Sequence, residues 1–321
     1  MATQTTPVAG TPRRGSWLGR LPVISQLRQS VGLQRFMLVL GVVITVIFVL
    51  VAVFAGWIAP YGWAQQSVDG HEFGTTMPPN ALNLWGTTVS GFDVLSRTIW
   101  GAQTALLAII CSIAFSIVIG VILGLIGGYF GGWFDRVLVM LSDAIYAFPS
   151  LLLAIVMSIM ISGGQSDLRS GILAAAISIT VVFVPQYFRV IRSEVVRVKA
   201  EPFVESARVI GVPTARILVR HVLRNSTRSL PVVVTLNASE ALLTLAGLGF
   251  LGFGIEPTAA AEWGYDLNRS VADVSAGIWW TAIPPGIAIV LVVLGITLVG
   301  ESLNDLSDPR LRTRRRAGGA S

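Results

Sequence analysis

Ile99–Ile126 reads IWGAQTALLAIICSIAFSIVIGVILGLI and contains no charged residue. A helix needs roughly 20 apolar residues to cross a bilayer core of about 30 Å, so this stretch is long enough to span. Working outward, Phe36–Ile58 and Ile278–Gly300 are two further uncharged runs. Val137–Ile161 qualifies with one acid, Asp143, and Leu230–Gly254 with one acid, Glu240. Ile172–Val190 is the weakest, because Pro185 lies inside it and Arg189 is near its end. None of these runs alternates as a barrel strand does. Lipid offers no partner to bare backbone groups, so the remaining solution is helices. The expectation is an all-α polytopic membrane protein with six spans.

Composition points the same way. The chain is 53% hydrophobic and 12% charged, with a mean hydropathy of +0.73, whereas soluble domains carry about 25% charged residues. One cysteine, Cys111, excludes an intrachain disulfide and a thiolate cluster. Two histidines, His71 and His221, have no neighbouring ligand in sequence, so no metal is assigned. The only lysine is Lys199, so the chain has no GxxxxGK[ST] phosphate loop. The chain is therefore expected to have no catalytic residues and no cofactor of its own. Any ATP-driven activity must place the nucleotide on another subunit.

Charge sets the expected orientation. With six spans, the N-terminal arm, the 127–136 loop, the 189–229 segment and the tail share one side, and they hold 20 of the 23 Lys and Arg residues. The other side holds Arg97, Arg169 and Arg269 against eight acids. The positive-inside rule then places both termini in the cytoplasm. The basic run Arg310–Arg316 follows from the same rule, and no nucleic acid is expected as a partner. At 23 residues the first apolar run exceeds a secretory h-region and reads as a retained span. Met1–Gly15, rich in Thr, Pro, Ala and Gly, reads as disordered. Intramembrane acids are costly, which marks Asp143 and Glu240 as pore-facing or structurally paired. Asp143 is expected about one turn from the cytoplasmic end of its span. A proton relay through these two acids is the alternative. Gly120, Gly124 and Gly128 recur every fourth residue and favour close helix approach. Pro149, Pro185, Pro284 and Pro285 are expected to bend their helices.

The main cytoplasmic feature is Glu201–Asn225, EPFVESARVIGVPTARILVRHVLRN. Pro202 suits a first helical turn. Phe203, Val204, Ala207 and Ile210 recur at helical spacing and predict one apolar face. Gly211 is placed to end that helix, Pro213 follows as a stop, and Thr214 is placed to cap a second helix from Ala215. Two readings remain: a helix pair lying on the membrane surface, or a knob docking into a groove of a soluble partner.

Glu205-Ser206-Ala207, Gly211 and His221-Val222-Leu223-Arg224 keep the register of a known motif. They resemble the EAA loop of ABC importer permeases, EAA-x3-G-x9-I-x-L-P, with Ser206, His221 and Arg224 departing from it. Asn83–Thr87 with Gly91–Arg97 resembles the HPLGTD-x-x-GRDVLSR segment of dipeptide and oligopeptide permeases, with Phe92 in place of Arg. Gly127–Trp133 with Asp135-Arg136, Asp143 with Ala147–Ser150, Gly247–Gly254, Glu262-Trp263-Gly264 and Asp308–Arg312 are similar to further elements of that family. The resemblance covers about residues 33–312 and is to the DppC/OppC-like permease subunits of peptide-importing ABC transporters.

The resemblance implies a type I importer (MetI-like) core with one extra N-terminal span. It implies a second homologous permease, two ATPase domains or subunits that bind ATP and Mg, and an external substrate-binding protein, all assembled at the bacterial inner membrane. The division expected is a cytoplasmic arm 1–35, a first span 36–58, an external loop 59–98, a five-span core 99–305 containing the coupling loop 201–225, and a basic tail 306–321. Glu205, Ala207 and Gly211 are carried over as contact or hinge positions toward the ATPase. Phe203 and Ile210 are added from the apolar face. The cargo implied is a di- or oligopeptide, with nickel or another small solute as the nearest rival. A proton-coupled secondary transporter using Asp143 and Glu240 is the rival from another class.

Overall fold

The computed structural model describes residues 33–162 and 168–307. The arm before Leu33, the acid Asp167 and the tail with Asp308–Arg312 lie outside the described residues. Nine principal helices are numbered in chain order: α1 Leu33–Val53, α2 Val94–Phe130, α3 Gly132–Tyr146, α4 Ser150–Ser162, α5 Leu168–Lys199, α6 Pro202–Val209, α7 Leu230–Phe250, α8 Trp263–Ser275 and α9 Ile283–Ser307. Five of these helices, α1, α2, α5, α7 and α9, contain stretches long and apolar enough to cross a membrane, and α3 with α4 forms a sixth, broken candidate. The protein is an all-α polytopic membrane protein. Among the described residues the strand content is a two-residue antiparallel ribbon, Ser67–Val68 with His71–Glu72.

The core lies where α2, α5, α7 and α9 meet, around Ile109, Ile179, Phe183, Leu242 and Val292. Small residues set the closest approach, as the four-residue glycine spacing predicts. A Cβ on Gly120 would sit 2.4 Å from the Cβ of Tyr187, and one on Gly124 would sit 2.9 Å from that of Ile191. The first span packs on the last through Gly41 and Gly295 in the same way. In lipid this close packing replaces the missing hydrophobic drive between helices.

Three expectations change. Val137–Ile161 is not a straight span: it breaks between Tyr146 and Ser150 with a bend of 98°. Pro149 lies within this break, and a proline disfavours a helical conformation in the residue before it. Asp143 consequently sits in the last turn of α3, eleven residues from its start, and not near the beginning of a span. The run with Pro185, weakest in sequence, is a span as expected, within one continuous helix of 32 residues. It packs along α2 and α4, contacts that a hydropathy window does not register. Pro284 and Pro285 stand in the first turn of α9, where a missing N–H costs nothing, so they open the helix and do not bend it.

Candidate coupling and passage surfaces

Lys199, Glu201 and Pro202 turn the chain from α5 into α6 outside the apolar spans. Glu201 is extended at the N-cap and Pro202 occupies the first turn. Lys199 Nζ donates to the carbonyl of Gly128 at 2.7 Å, tying this corner to the C-terminus of α2. That placement answers the negative end of the helix dipole. Gly211 closes α6 at φ +79°, with Gly211 N donating to Arg208 O and Val212 N to Ala207 O, both at 3.0 Å. Only glycine enters that left-handed region at low cost. Helix conformation resumes at Thr214, but Pro213 is the N-cap and no side chain caps it. Thr214 is therefore inside the helix it was expected to cap. A seven-residue π-helical stretch, Ile217–Leu223, follows and leads toward α7.

The expected single apolar face of α6 divides in two. Val204 and Ala207 turn inward and pack with Ile191, Val195, Ile217 and Val222 in a second small core. Phe203 is 43% exposed and Ile210 78% exposed, and Val209, not anticipated from the sequence, is 82% exposed. Glu205 is exposed in the first turn. The division arises because Val204 and Ala207 lie one turn apart on the flank facing α5, whereas Val209 and Ile210 lie at the far end. Arg208 fixes the orientation: its guanidinium stands 5.3 Å from the centre of the Tyr129 ring and bonds the phenol oxygen at 3.2 Å. Phe203 lies 6.4 Å from the His221 ring, between ring centres. The result is a knob with an apolar tip, held on the protein by its opposite flank.

The second surface is the α3–α4 break. Asp143 pairs with Arg189 of α5, whose guanidinium also stacks 4.3 Å from the centre of the Tyr146 ring. Glu240, in the middle of α7, is exposed and lines a cavity of about 50 Å³ beside Tyr146, Ser150 and Gln186. The structure thus brings Asp143 and Glu240 to the same break, with Asp143 satisfied by an arginine.

The motifs near α8 meet in a third place, which sequence periodicity does not indicate. Arg97 is 2% exposed and bonds both carboxylate oxygens of Asp266 through Nε at 2.9 and 3.0 Å, together with the carbonyls of Trp63 and Pro257. Trp263 Nε1 donates to Thr98 O at 3.0 Å. Glu262 caps α8, accepting from the amides of Gly264 and Tyr265 at 2.8 and 2.7 Å. Burial pushes its carboxyl up to about 8, against the pull of those two amides. Burial raises Asp266 as well, opposed by Arg97. Gly249 makes room for this arrangement, since a Cβ there would lie 1.8 Å from Glu262 Oε2.

Five apolar spans and a broken sixth candidate define a polytopic membrane protein. Comparison narrows the class. Residues 116–313 match the model of the binding-protein-dependent transport system inner membrane component. Residues 34–79 match the N-terminal TM domain of oligopeptide transport permease C. The chain is 35% identical over 279 residues to the glutathione transport system permease protein GsiD of Shigella flexneri serotype 5b, covering 87% of this chain and 88% of that protein. It is 33% identical over the same length and coverage to GsiD of Escherichia coli O6:K15:H31. The chain belongs to the binding-protein-dependent transport system inner membrane component family, and is an OppC-like permease subunit of an ABC importer.

Proposed function

We propose that this chain is one of two permease halves through which an external binding protein delivers short peptides. On this reading separate ATPase subunits hold ATP and Mg and grip the α6 knob from the cytoplasm. The observation that carries the reading is that knob: an apolar tip at Val209 and Ile210, outside the spans, on a helix anchored through Val204 and Ala207. Exposed apolar surface of this kind marks an interaction site. Ala207 would act from beneath, by seating the helix, and Glu205, Phe203 and Ile210 would meet the partner. Gly211 would fix where the helix ends. Both termini face the cytoplasm on this reading, since the basic loops and the knob share one side. Peptide cargo is supported by the OppC-type N-terminal span and by relatives named for glutathione transport.

The test is co-purification followed by uptake. The tagged chain, expressed with its neighbouring permease and the associated ATPases, should retain the ATPases in mild detergent. Ile210→Asp or Phe203→Asp should release them while leaving the two permeases together. In vesicles with the binding protein and ATP, the native complex should accumulate short peptides. A chain that stays alone and takes up solute on an ion gradient would defeat the proposal.

A further inference from the structure

We infer that Glu240 is a cation-recognition point in the passage, receiving the ammonium group of the transported peptide. This rests on the peptide-import reading.

The argument starts from cost. Glu240 lies in the middle of the 21-residue helix α7, and an ionisable side chain at such a position is expensive when it faces lipid. Yet it is exposed, and it shares its face with Leu236, Leu243 and Phe250, which are 49%, 52% and 45% exposed. Residues at these spacings lie along one stripe of a helix. A stripe that carries a carboxylate is not a lipid-facing stripe, so it borders water or a partner of opposite charge. Among the described residues Glu240 forms no ion pair. Arg189, the arginine at this break, is already engaged by Asp143 and by the Tyr146 ring.

The surroundings define the ligand. The cavity beside Glu240 has a volume of about 50 Å³ and is lined by Tyr146, Phe148, Ser150, Phe183 and Gln186. A carboxylate, an amide and a hydroxyl supply acceptors for a cation's N–H groups, and aromatic faces attract the same charge. The space suits one small charged group, not a whole peptide. A free peptide carries such a group at its amino end near neutral pH. The site also sits at the 98° break between α3 and α4. Non-helical backbone at membrane depth is tolerated where it lines a cavity, so the bend and the acid independently mark the same surface.

The test uses the complete importer in vesicles, with the binding protein preloaded to saturation so that recognition outside the membrane is equalised. Two probes are compared: a tripeptide with a free amino terminus and its des-amino analogue. The native complex should move the free-amine peptide faster, by about tenfold for one lost charge contact. E240Q should lower that rate to the level of the analogue and leave the analogue's rate unchanged. If E240Q does not assemble, E240D serves, and its shortened carboxylate should slow the free-amine peptide alone. Equal slowing of both probes would overturn the inference and assign Glu240 to a contact with the second permease. Unchanged rates for both would also overturn it. A native complex that moves neither peptide defeats the peptide reading and this inference together. A native preference for the free amine that survives in E240Q defeats the inference alone.

Discussion

Glu262 is a residue whose environment, not its sequence position, decides its chemistry. It is fully enclosed and its carboxyl is raised from an ordinary 4.5 to about 8. A raised folded-state value means that folding favours the protonated form. The associated stability is complete below about pH 4.5 and is lost as pH rises through about 8. The thermal midpoint of the detergent-solubilised protein should therefore fall between pH 6 and pH 9. Glu262→Gln, which cannot ionise, should flatten that fall, and an unchanged slope would reject the assignment. Gly249 belongs to the same site. Gly249→Ala would drive a methyl into Glu262 Oε2, and overpacking of this kind typically costs about 1–3 kcal/mol. The corresponding drop in thermal midpoint should be absent at Gly286→Ala, where the nearest atom, Leu267 Cδ2, would lie at 3.7 Å and the backbone is helical. Glu262-Trp263-Gly264 and Gly247–Gly254 were each legible as strings. That they interlock was not, because neither a period nor a spacing encodes which turn meets which helix.

At the scale of the element, α6 was legible from its punctuation. Pro202 opens it and Gly211 closes it at φ +79°, as the residue types require. The assignment of its faces was not legible, since five apolar residues in eleven positions, Phe203, Val204, Ala207, Val209 and Ile210, do not say which flank meets α5. Helix breaks followed the same pattern. Pro149 marked a real bend, while Pro185 lies within an unbroken helix and the Pro284-Pro285 pair begins one. Proline removes a donor everywhere, but its effect depends on whether that donor had a partner to lose. Gly211 turns this into a graded prediction. Gly211→Ala meets no atom within 4 Å and faces only the left-handed backbone cost of about 1–2 kcal/mol. Gly211→Pro loses both the permitted φ and the amide bonded to Arg208 O. Alanine should therefore leave ATP-driven uptake partly intact, and proline should separate ATP hydrolysis from uptake while the protein still inserts. Glu205→Arg should behave like proline, because it places a cation at the positive end of α6 and reverses the charge offered to the ATPase. Normal uptake with Gly211→Pro and with Glu205→Arg would refute the coupling role of this helix.

Across the whole molecule, hydropathy located the spans, because it is a property of single segments. Which spans touch is a property of pairs, and here glycines carry most of it. Gly120, Gly124 and Gly128 bring α2 against α5, and their four-residue spacing was readable in advance. Gly41 and Gly295 bring the first span against the last, and nothing local relates two residues so far apart in the chain. The first span is matched by a family model separate from that of the core, so this seam joins an added helix to an otherwise continuous unit. A Cβ at Gly41 would stand 2.8 Å from Leu298 Cβ and 2.9 Å from Gly295 O. One at Gly295 would stand 2.8 Å from Ile44 Cγ2. The clashing atoms at Gly41 include backbone, which does not yield as a flexible side-chain tip does. Gly41→Leu should therefore displace the first span and lower the thermal midpoint by several degrees, in line with about 2–4 °C per kcal/mol for domains of 150–250 residues. Because no residue of the seam lines the cavity at Glu240 or packs beneath α6, the surviving complexes should keep their ATPase subunits and their preference for free-amine peptides. A Gly41→Leu protein as stable as the native one would show that the first span is held elsewhere, through Gln103 Nε2 to Ala52 O and the other contacts of α1 with α2.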